Sequence, residues 1–428
     1  MAVDDLILQL SGRGENSRVE AIKHLKQVGE PAVAPLVASL LDEESPVSWS
    51  DAGIVLRGIG RPAFQPLVEA IAIAPTPETL RRCAWAFMGF GADLIDLYAQ
   101  ALSHENPRVR EETALGVQYC KEAGLPALPD LLPLLADPDD EVRQRAVWAM
   151  AGLGEGVLPM LQQVRRSGPG YLRRGALQAI AEVAGEQAFS DVDRAAVERL
   201  IRIKLTREAA EPIEGCGTCG SWLALSTGDH SAICEALDLS TPRPATMTLG
   251  FAAFYCDSHG MADDNQRMGR VFLTPRLDGW TLVMGAWYAY VDGGWAETVQ
   301  ACRELSERFG QAQCYWHDAQ TGSGSWVICE GGELMRAYDQ DDRNNEAGLR
   351  LPVEEGKILS FEEEGDLDDD PDDEDFGERK YCDALMVAAA MSVSPDALGV
   401  QTQVHGHGVL ALTKFGRQYG VPNGALPI

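Results

Sequence analysis

Two patterns of apolar and polar positions divide the chain. Up to about residue 211, Leu, Val, Ala and Ile recur three and four positions apart, the spacing that lines one face of an α-helix. The stretch LADPDDEVRQRAVWAMAGLG, residues 135–154, shows this together with its punctuation. Pro138 ends one helix, and Asp137 or Asp139 is placed to accept hydrogen bonds from the free amides of the next. From Cys216 onward short β-favouring runs alternate with single helices and glycine turns. Strands are predicted at Trp222–Leu225, Arg270–Thr274, Trp280–Trp287, Gln313–His317, Ser325–Cys329 and Leu334–Tyr338, with Asp278-Gly279 as a hairpin turn. Helices are predicted over SAICEALDL, after Asp229, and over 296–310, where Val299, Cys302, Leu305 and Phe309 make one apolar face. Each helix follows a strand, which points to an α/β or α+β domain with helices on one side of a sheet.

The helical half is periodic at a longer scale. Gly29, Gly60, Gly91, Gly124, Gly154 and Gly185 are spaced 30 to 33 residues apart, and the text after them repeats, from GEPAVAPLVASLL through GRPAFQPLVEAI to GLPALPDLLPLLADP. Each repeat is a pair of helices that cannot bury its apolar face alone, so the repeats must stack into an α-solenoid whose long surfaces hold something else. Residues 190–211 read as one more helix capping the stack. Two domains follow, 1–211 and 212–428. The segments SHENPRVREETALGV, at 103–117, and 135–154 resemble the HEAT-repeat family, in the short bacterial PBS-lyase HEAT-like form also found in bilin lyase subunits. The resemblance covers roughly residues 15–190. It implies a fold and leaves activity open, because HEAT arrays serve scaffolds, lyase subunits and DNA-repair enzymes alike. The second half, through RVFLTPRLDGWTLVMGAW and YWHDAQTGSGSWVICEGGELMRAYD, resembles uncharacterised domains of actinobacterial and related genomes.

With 428 residues, 45% of them hydrophobic and 24% charged, the chain has the balance of an ordinary folded protein of more than one domain. The start MAVDDLILQLSGRGE lacks the basic residues of a secretory signal, and no apolar run reaches the ~18 residues of a membrane span, so a cytoplasmic location is expected. The ten cysteines stand mostly alone in apolar stretches, as buried free thiols do. The net charge of −29 lies mostly on residues 212–428. Such a field repels nucleic acid and anionic membranes and attracts basic proteins or metal cations. Residues 362–378, EEEGDLDDDPDDEDFGE, read as a disordered acidic loop; Pro371 and Gly377 stand where a calcium loop needs glycine and glutamate.

Several residue sets carry candidate chemistry. Arg81 and Arg82, Arg108 and Arg110, Arg143 and Arg145, and Arg173 and Arg174 recur at similar places in successive repeats, with Trp85 and Trp148 beside them. A basic ladder with aromatics suits phosphates and stacked bases. The same arginines also suit ion pairs with acidic turn residues of neighbouring repeats, and the tryptophans suit helix interfaces. Cys216, Cys219, His230 and Cys234 have a spacing that can close a tetrahedral zinc site, with structural thiols or a redox pair as alternatives. GSGSW at 322–326 lacks nucleophile-elbow spacing, no phosphate loop or HExxH is present, and no catalytic residue is assigned. His405 and His407 put two imidazoles on one side of an extended segment, which suits a metal or, with Gly406 and Gly408, a turn, and His259, His317, Asp257 and Asp318 could meet in space.

The sequence therefore reads as a non-enzymatic scaffold, without a cofactor unless zinc is bound, that holds a basic protein partner; one version is an immunity or antitoxin-like protein covering a basic effector. The alternatives are a DNA-repair or self-resistance enzyme working through the arginine ladder, and a zinc-containing regulatory module.

Overall fold

The computed structural model describes residues 3–12, 14–207, 220–259, 263–285, 294–319, 321–359 and 381–424. They form two compact units, Met1–Ser190 and Asp191–Ile428.

The first unit is helical throughout: α1 (Val3–Gln9), α2 (Glu15–Val28), α3 (Val33–Leu41), α4 (Trp49–Ile59), α5 (Arg61–Ile73), α6 (Pro77–Phe87), α7 (Ile95–Ala101), α8 (Pro107–Tyr119), α9 (Leu128–Leu131), α10 (Asp140–Gly152), α11 (Leu158–Ser167) and α12 (Gly170–Ala184). The helix starts follow from their capping residues. Ser48 accepts from the amide of Asp51, Thr76 forms a capping box with Thr79, and Asn106 accepts from Arg108 N. Asp139 accepts from Glu141 N at 2.9 Å and Val142 N at 3.2 Å, so it, and not Asp137, caps α10. Pro77 and Pro107 sit in the first turn, where a missing N–H costs nothing.

Gly29, Gly60, Gly91, Gly154 and Gly185 have φ between 69° and 79°, a region that favours glycine, and each follows the first helix of its repeat. Gly124 departs from the pattern. It lies in a 3₁₀ segment, Lys121–Ala127, packed against Leu153. Here the second helix shrinks to α9 followed by a further 3₁₀ segment, Leu132–Ala136, because Pro126, Pro129 and Pro133 interrupt the hydrogen-bond ladder. Between α5, α6 and α7 the core is aromatic: Phe64, Phe87 and Tyr98 meet with ring centres 4.8 to 5.2 Å apart, and the Tyr98 hydroxyl donates to Phe87 O at 2.5 Å.

The second unit begins with α13 (Asp191–Leu205), expected to cap the repeats but grouped here with the sheet domain. Its elements are then β1 (Gly220–Leu225), α14 (His230–Ala236), β2 (Ser240–Ala245), α15 (Met247–His259), α16 (Asp264–Arg267), β3 (Arg270–Leu273), β4 (Arg276–Leu277), β5 (Thr281–Met284), α17 (Trp295–Phe309), β6 (Gln311–His317), β7 (Gly324–Glu330), β8 (Glu333–Asp339), β9 (Ala347–Gly348), α18 (Ala384–Met391), β10 (Val404–His405), β11 (Gly408–Leu412) and α19 (Lys414–Tyr419). Glu198 of α13 pairs with Arg243 of β2 at 2.8 Å.

One sheet runs in the order β2-β11-β3-β5-β1-β6-β7-β8-β9, and its pairings are antiparallel, which decides between the two expected classes in favour of α+β. Asp278 (φ 46°) and Gly279 (φ 98°) make the expected tight turn, closed by Leu277 N donating to Trp280 O at 2.7 Å. The expected strand to Trp287 is seen over Thr281–Met284, and Trp287 lies outside the described residues.

Helices cover both faces, not one. Ile233 and Leu237 of the α14 region and Cys302 and Leu305 of α17 pack on Leu223, Leu225 and Val327. On the other face Phe251 of α15 meets Phe272, and Gln313 Nε2 donates to Met391 O of α18 at 3.1 Å. The reason is visible in Trp222–Leu225 of β1 and Leu282–Met284 of β5, where consecutive residues are apolar and buried instead of alternating with polar ones.

Candidate functional site

The arginines of the repeats are engaged with their own array. Arg81 and Arg82 both donate to Glu78, at 2.7 Å, and together hold its carboxyl down to about 2. Arg82 also reaches back to Asp42 O, and Arg108 to Ala74 O, each in an earlier repeat. Arg110 reaches forward: its Nε and Nη2 form a two-pronged pair with the buried Asp137 carboxylate, both at 2.7 Å. Arg145 pairs with Glu111 at 3.5 Å and lies over the Trp148 ring. Arg143 pairs with Asp140, Arg173 donates to Gly168 O at 3.0 Å, and Arg174 is exposed. Trp85 is covered by the Arg57 guanidinium at 3.8 Å and meets Trp49 edge to face. These contacts join one repeat to the next or brace a helix start.

Beside this network sits a carboxyl that the pattern did not flag. Glu112 in α8 has a buried Oε2 without a hydrogen-bond partner among the described residues, and burial, reinforced by Glu111, pushes its pKa up to about 7. The available signal was position: residue 112 falls three after the buried Val109 and four before Gly116, on the inward face.

The proposed zinc ligands are only partly visible. Cys216 and Cys219 lie outside the described residues. His230 Nε2 is 2.8 Å from Thr274 O, a bond in which the ring nitrogen donates, and Cys234 is a buried thiol of the α14 core whose pKa burial raises. Among the described residues no group of three or more His, Cys, Asp or Glu side chains is arranged to hold a metal. The acidic run at 362–378 also lies outside the described residues. Asp257 pairs with Arg270 at 2.7 Å, while Asp318 accepts from Thr321 and acts on the buried His317 together with Asp383 and Asp396, whose pull is outweighed by burial, so that the His317 pKa is lowered.

The second unit contains a cleft of about 230 Å³ at one end of the sheet. Register builds it. Ser221 pairs with Trp316, Trp316 with Ser325, and Ser325 with Asp339, giving one row across β1, β6, β7 and β8. Two residues further in, Leu223, Cys314 and Val327 form an apolar floor. The start of α17 supplies Gly294, Trp295 and Thr298, and Asp341 stands just beyond β8. Ser221 is 5% exposed and its Oγ has no hydrogen-bond partner among the described residues. Asp339 accepts from Asp341 N at 3.1 Å and from Asn345 Nδ2 at 2.8 Å.

Comparison with known proteins bears on the first unit. Residues 64–151 and 94–181 match the model of the HEAT repeat family. This region is a HEAT-repeat array. Solved structures similar to the chain include the CpcE and CpcF complex of phycocyanin lyase from Nostoc sp. PCC7120, at 21% identity over 42% of this chain and 97% of that one, with a TM-score of 0.18. Computationally designed armadillo repeat proteins for modular peptide recognition match at 20% over 44% of this chain and 100% of theirs, with a TM-score of 0.21. Kap121p matches at 15% over 47% of this chain and 28% of its own, with a TM-score of 0.28. No curated protein matches in sequence.

In the HEAT array, then, the arginines bind adjacent repeats as well as facing solvent, and its exposed large side chains include Tyr119, Trp148 and Tyr171. No described helix is long and apolar enough to cross a membrane.

Proposed function

We propose that the protein is a non-enzymatic binding scaffold whose HEAT array and acidic second domain engage a basic protein. The observation that carries this reading is the neutralisation of most of the arginine ladder from within: Glu78, Glu111, Asp137 and Asp140 occupy five of its eight guanidinium groups, which a phosphate backbone would need. What the array leaves outward includes Tyr119, Trp148 and Tyr171, the aromatic side chains from which protein interfaces draw most of their energy. The net charge of −29 selects for basic partners and speeds their approach. An immunity or antitoxin-like protein covering a basic effector, in the cytoplasm of a bacterium, is the specific form this takes.

The test is affinity purification of the full-length chain from its native cell at low and moderate salt, followed by mass spectrometry and by reconstitution of any recovered pair. The expected result is a basic protein of defined stoichiometry whose affinity falls with salt and with Trp148→Ala. Salt-sensitive binding of DNA by the purified protein, weakened by replacing Arg143 and Arg173, would instead establish the nucleic-acid reading. Stoichiometric zinc released by Cys216→Ser would establish a metal-containing module.

A further inference from the structure

We propose that the cleft of the second unit binds a neutral aromatic ring carrying one hydrogen-bonding group, with the ring on the apolar floor and the group at Ser221. Register sets the dimensions. Leu223, Cys314 and Val327 stand side by side on β1, β6 and β7, and with strands about 4.8 Å apart the floor is about 10 Å wide. Trp295, at the start of α17, packs against the cluster that contains these three residues, and Trp316 is the register partner of Ser221 at the rim. Two indoles beside an apolar floor favour a ring, because aromatic groups pair with one another beyond what buried area alone gives. The volume of about 230 Å³ exceeds the ~150 Å³ that takes up benzene in an engineered apolar cavity, which leaves room for a substituent.

The polar end of the cleft is at β1. Ser221 precedes Leu223 by two residues and so shares its face of the sheet; it is buried, and its Oγ has no hydrogen-bond partner among the described residues. Buried polar groups are nearly always paired, and a hydroxyl both donates and accepts, so an O–H, N–H or carbonyl on the edge of the ring completes it. A charge of either sign next to Ser221 would lie on Leu223 and Cys314 with no counter-ion in reach, which is why the group is neutral. Asp339 belongs to the other end: it stands on β8, three strand spacings or about 14 Å from Ser221, and takes no part in that contact. Its effect is to exclude anions. No lysine, arginine or histidine lines the cleft among the described residues, so an anion finds no partner there, and Asp339 and Asp341 repel it.

Such a ring can be a free phenol-like molecule or a tyrosine side chain of a polypeptide, and the probes separate the two. Four are titrated calorimetrically into the full-length protein: p-cresol, p-xylene with a methyl in place of the hydroxyl, p-toluate with a carboxylate in its place, and Nα-acetyl-tyrosine methylamide. The expected result is binding of p-cresol and none of p-toluate. Binding of the tyrosine compound as well assigns the site to a polypeptide side chain; binding of p-cresol without it assigns the site to a free molecule. In Ser221→Ala the ratio of p-cresol to p-xylene affinity falls about three- to ten-fold, the worth of one hydrogen bond. Trp295→Ala weakens both about ten-fold and keeps the ratio. The Ser221 Oγ bonds nothing among the described residues, so its removal breaks no hydrogen bond of the fold, and Trp295→Ala decides the matter if Ser221→Ala nonetheless fails to fold. Absence of p-cresol binding to the native protein overturns the proposal, as does equal binding of p-toluate, an unchanged ratio in Ser221→Ala or an unchanged p-cresol affinity in Trp295→Ala. The probes are small molecules, so failure here leaves the scaffold reading standing and its own partner test unaffected.

Discussion

Arg336 and Glu354 are joined where neither has any contact with solvent. The Arg336 Nε donates to both carboxylate oxygens at 3.1 and 3.0 Å, and Glu354 also accepts from Trp326 Nε1 at 2.6 Å and from Leu351 N at 2.7 Å. The pair pins the segment after β9 onto the sheet face opposite α17. Burying two charges is costly, and the fourfold satisfaction of this carboxylate is what makes the arrangement tenable.

Removing one partner strands the other. Glu354→Gln is expected to destabilise the second unit by about 3 kcal/mol or more. Urea unfolding followed through Trp326 and its neighbours checks this; a midpoint shift within the scatter of the native protein would show that the pair is not holding the fold.

Glu112 gives the first unit a pH dependence of definite sign. Its folded pKa of about 7 exceeds the ordinary 4.5, so between those values the folded chain binds a proton that the unfolded chain has released. The contribution to stability is full below about pH 4.5 and is lost as pH rises towards 7, by up to ~3 kcal/mol at 1.36 kcal/mol for each pKa unit. Glu112→Gln stays neutral throughout, so its gain over the native protein should grow from pH 5 to pH 8. Parallel stability curves for the two proteins would contradict this assignment.

Gly154 joins α10 to the next helix at φ 78° and ψ −170°, a region that side chains other than hydrogen scarcely enter. Its Cβ position is open, so the cost of Gly154→Ala is conformational, about 1–3 kcal/mol. Gly124→Ala tests a different mechanism, because there the added methyl would meet Leu153 at 2.7 Å and Val117 O at 2.9 Å. Thermal melts of the two variants, with Gly170→Ala as a control in open space, should show losses in the first two alone.

The repeat period, the helix caps and most central strands were readable because each depends on residues close together in sequence. Several elements were missed, β11 inside the sheet among them, and two of them show the physical reason. The strand β2 contains Pro242 and Pro244, which argue against a strand unless it lies at an edge, as the sheet order shows it does. Helix α15, MTLGFAAFYCDSH, is apolar nearly all round and so lacks the one-sided stripe that marks a surface helix. The cleft was beyond reach altogether. Alternation assigns Ser221, Trp316, Ser325 and Asp339 to faces of their own strands, but only the pairing register of four strands sets them in one row. The arginines were legible as a ladder, whereas their partners, such as Asp137 for Arg110, required the packing of adjacent repeats.

That pair offers the sharpest comparison between ion pairs in the array. Arg110 and Asp137 are 12% and 5% exposed, with two bonds of 2.7 Å, whereas Arg61 and Asp96 form the same two-pronged geometry at 2.9 Å while more than half exposed. Geometry alone predicts similar worth; solvent decides otherwise. The exposed pair is screened by solvent and should contribute little, while loss of one partner from the buried pair should cost about 3 kcal/mol. A double-mutant cycle with Arg110→Ala and Asp137→Ala should therefore return a coupling well above that of Arg61→Ala with Asp96→Ala, and the difference should persist in 1 M salt. Equal couplings would mean that Arg110 acts through its bonds to His104 O and Glu105 O, which brace the turn before α8, and that Asp137 is not what ties these two repeats together.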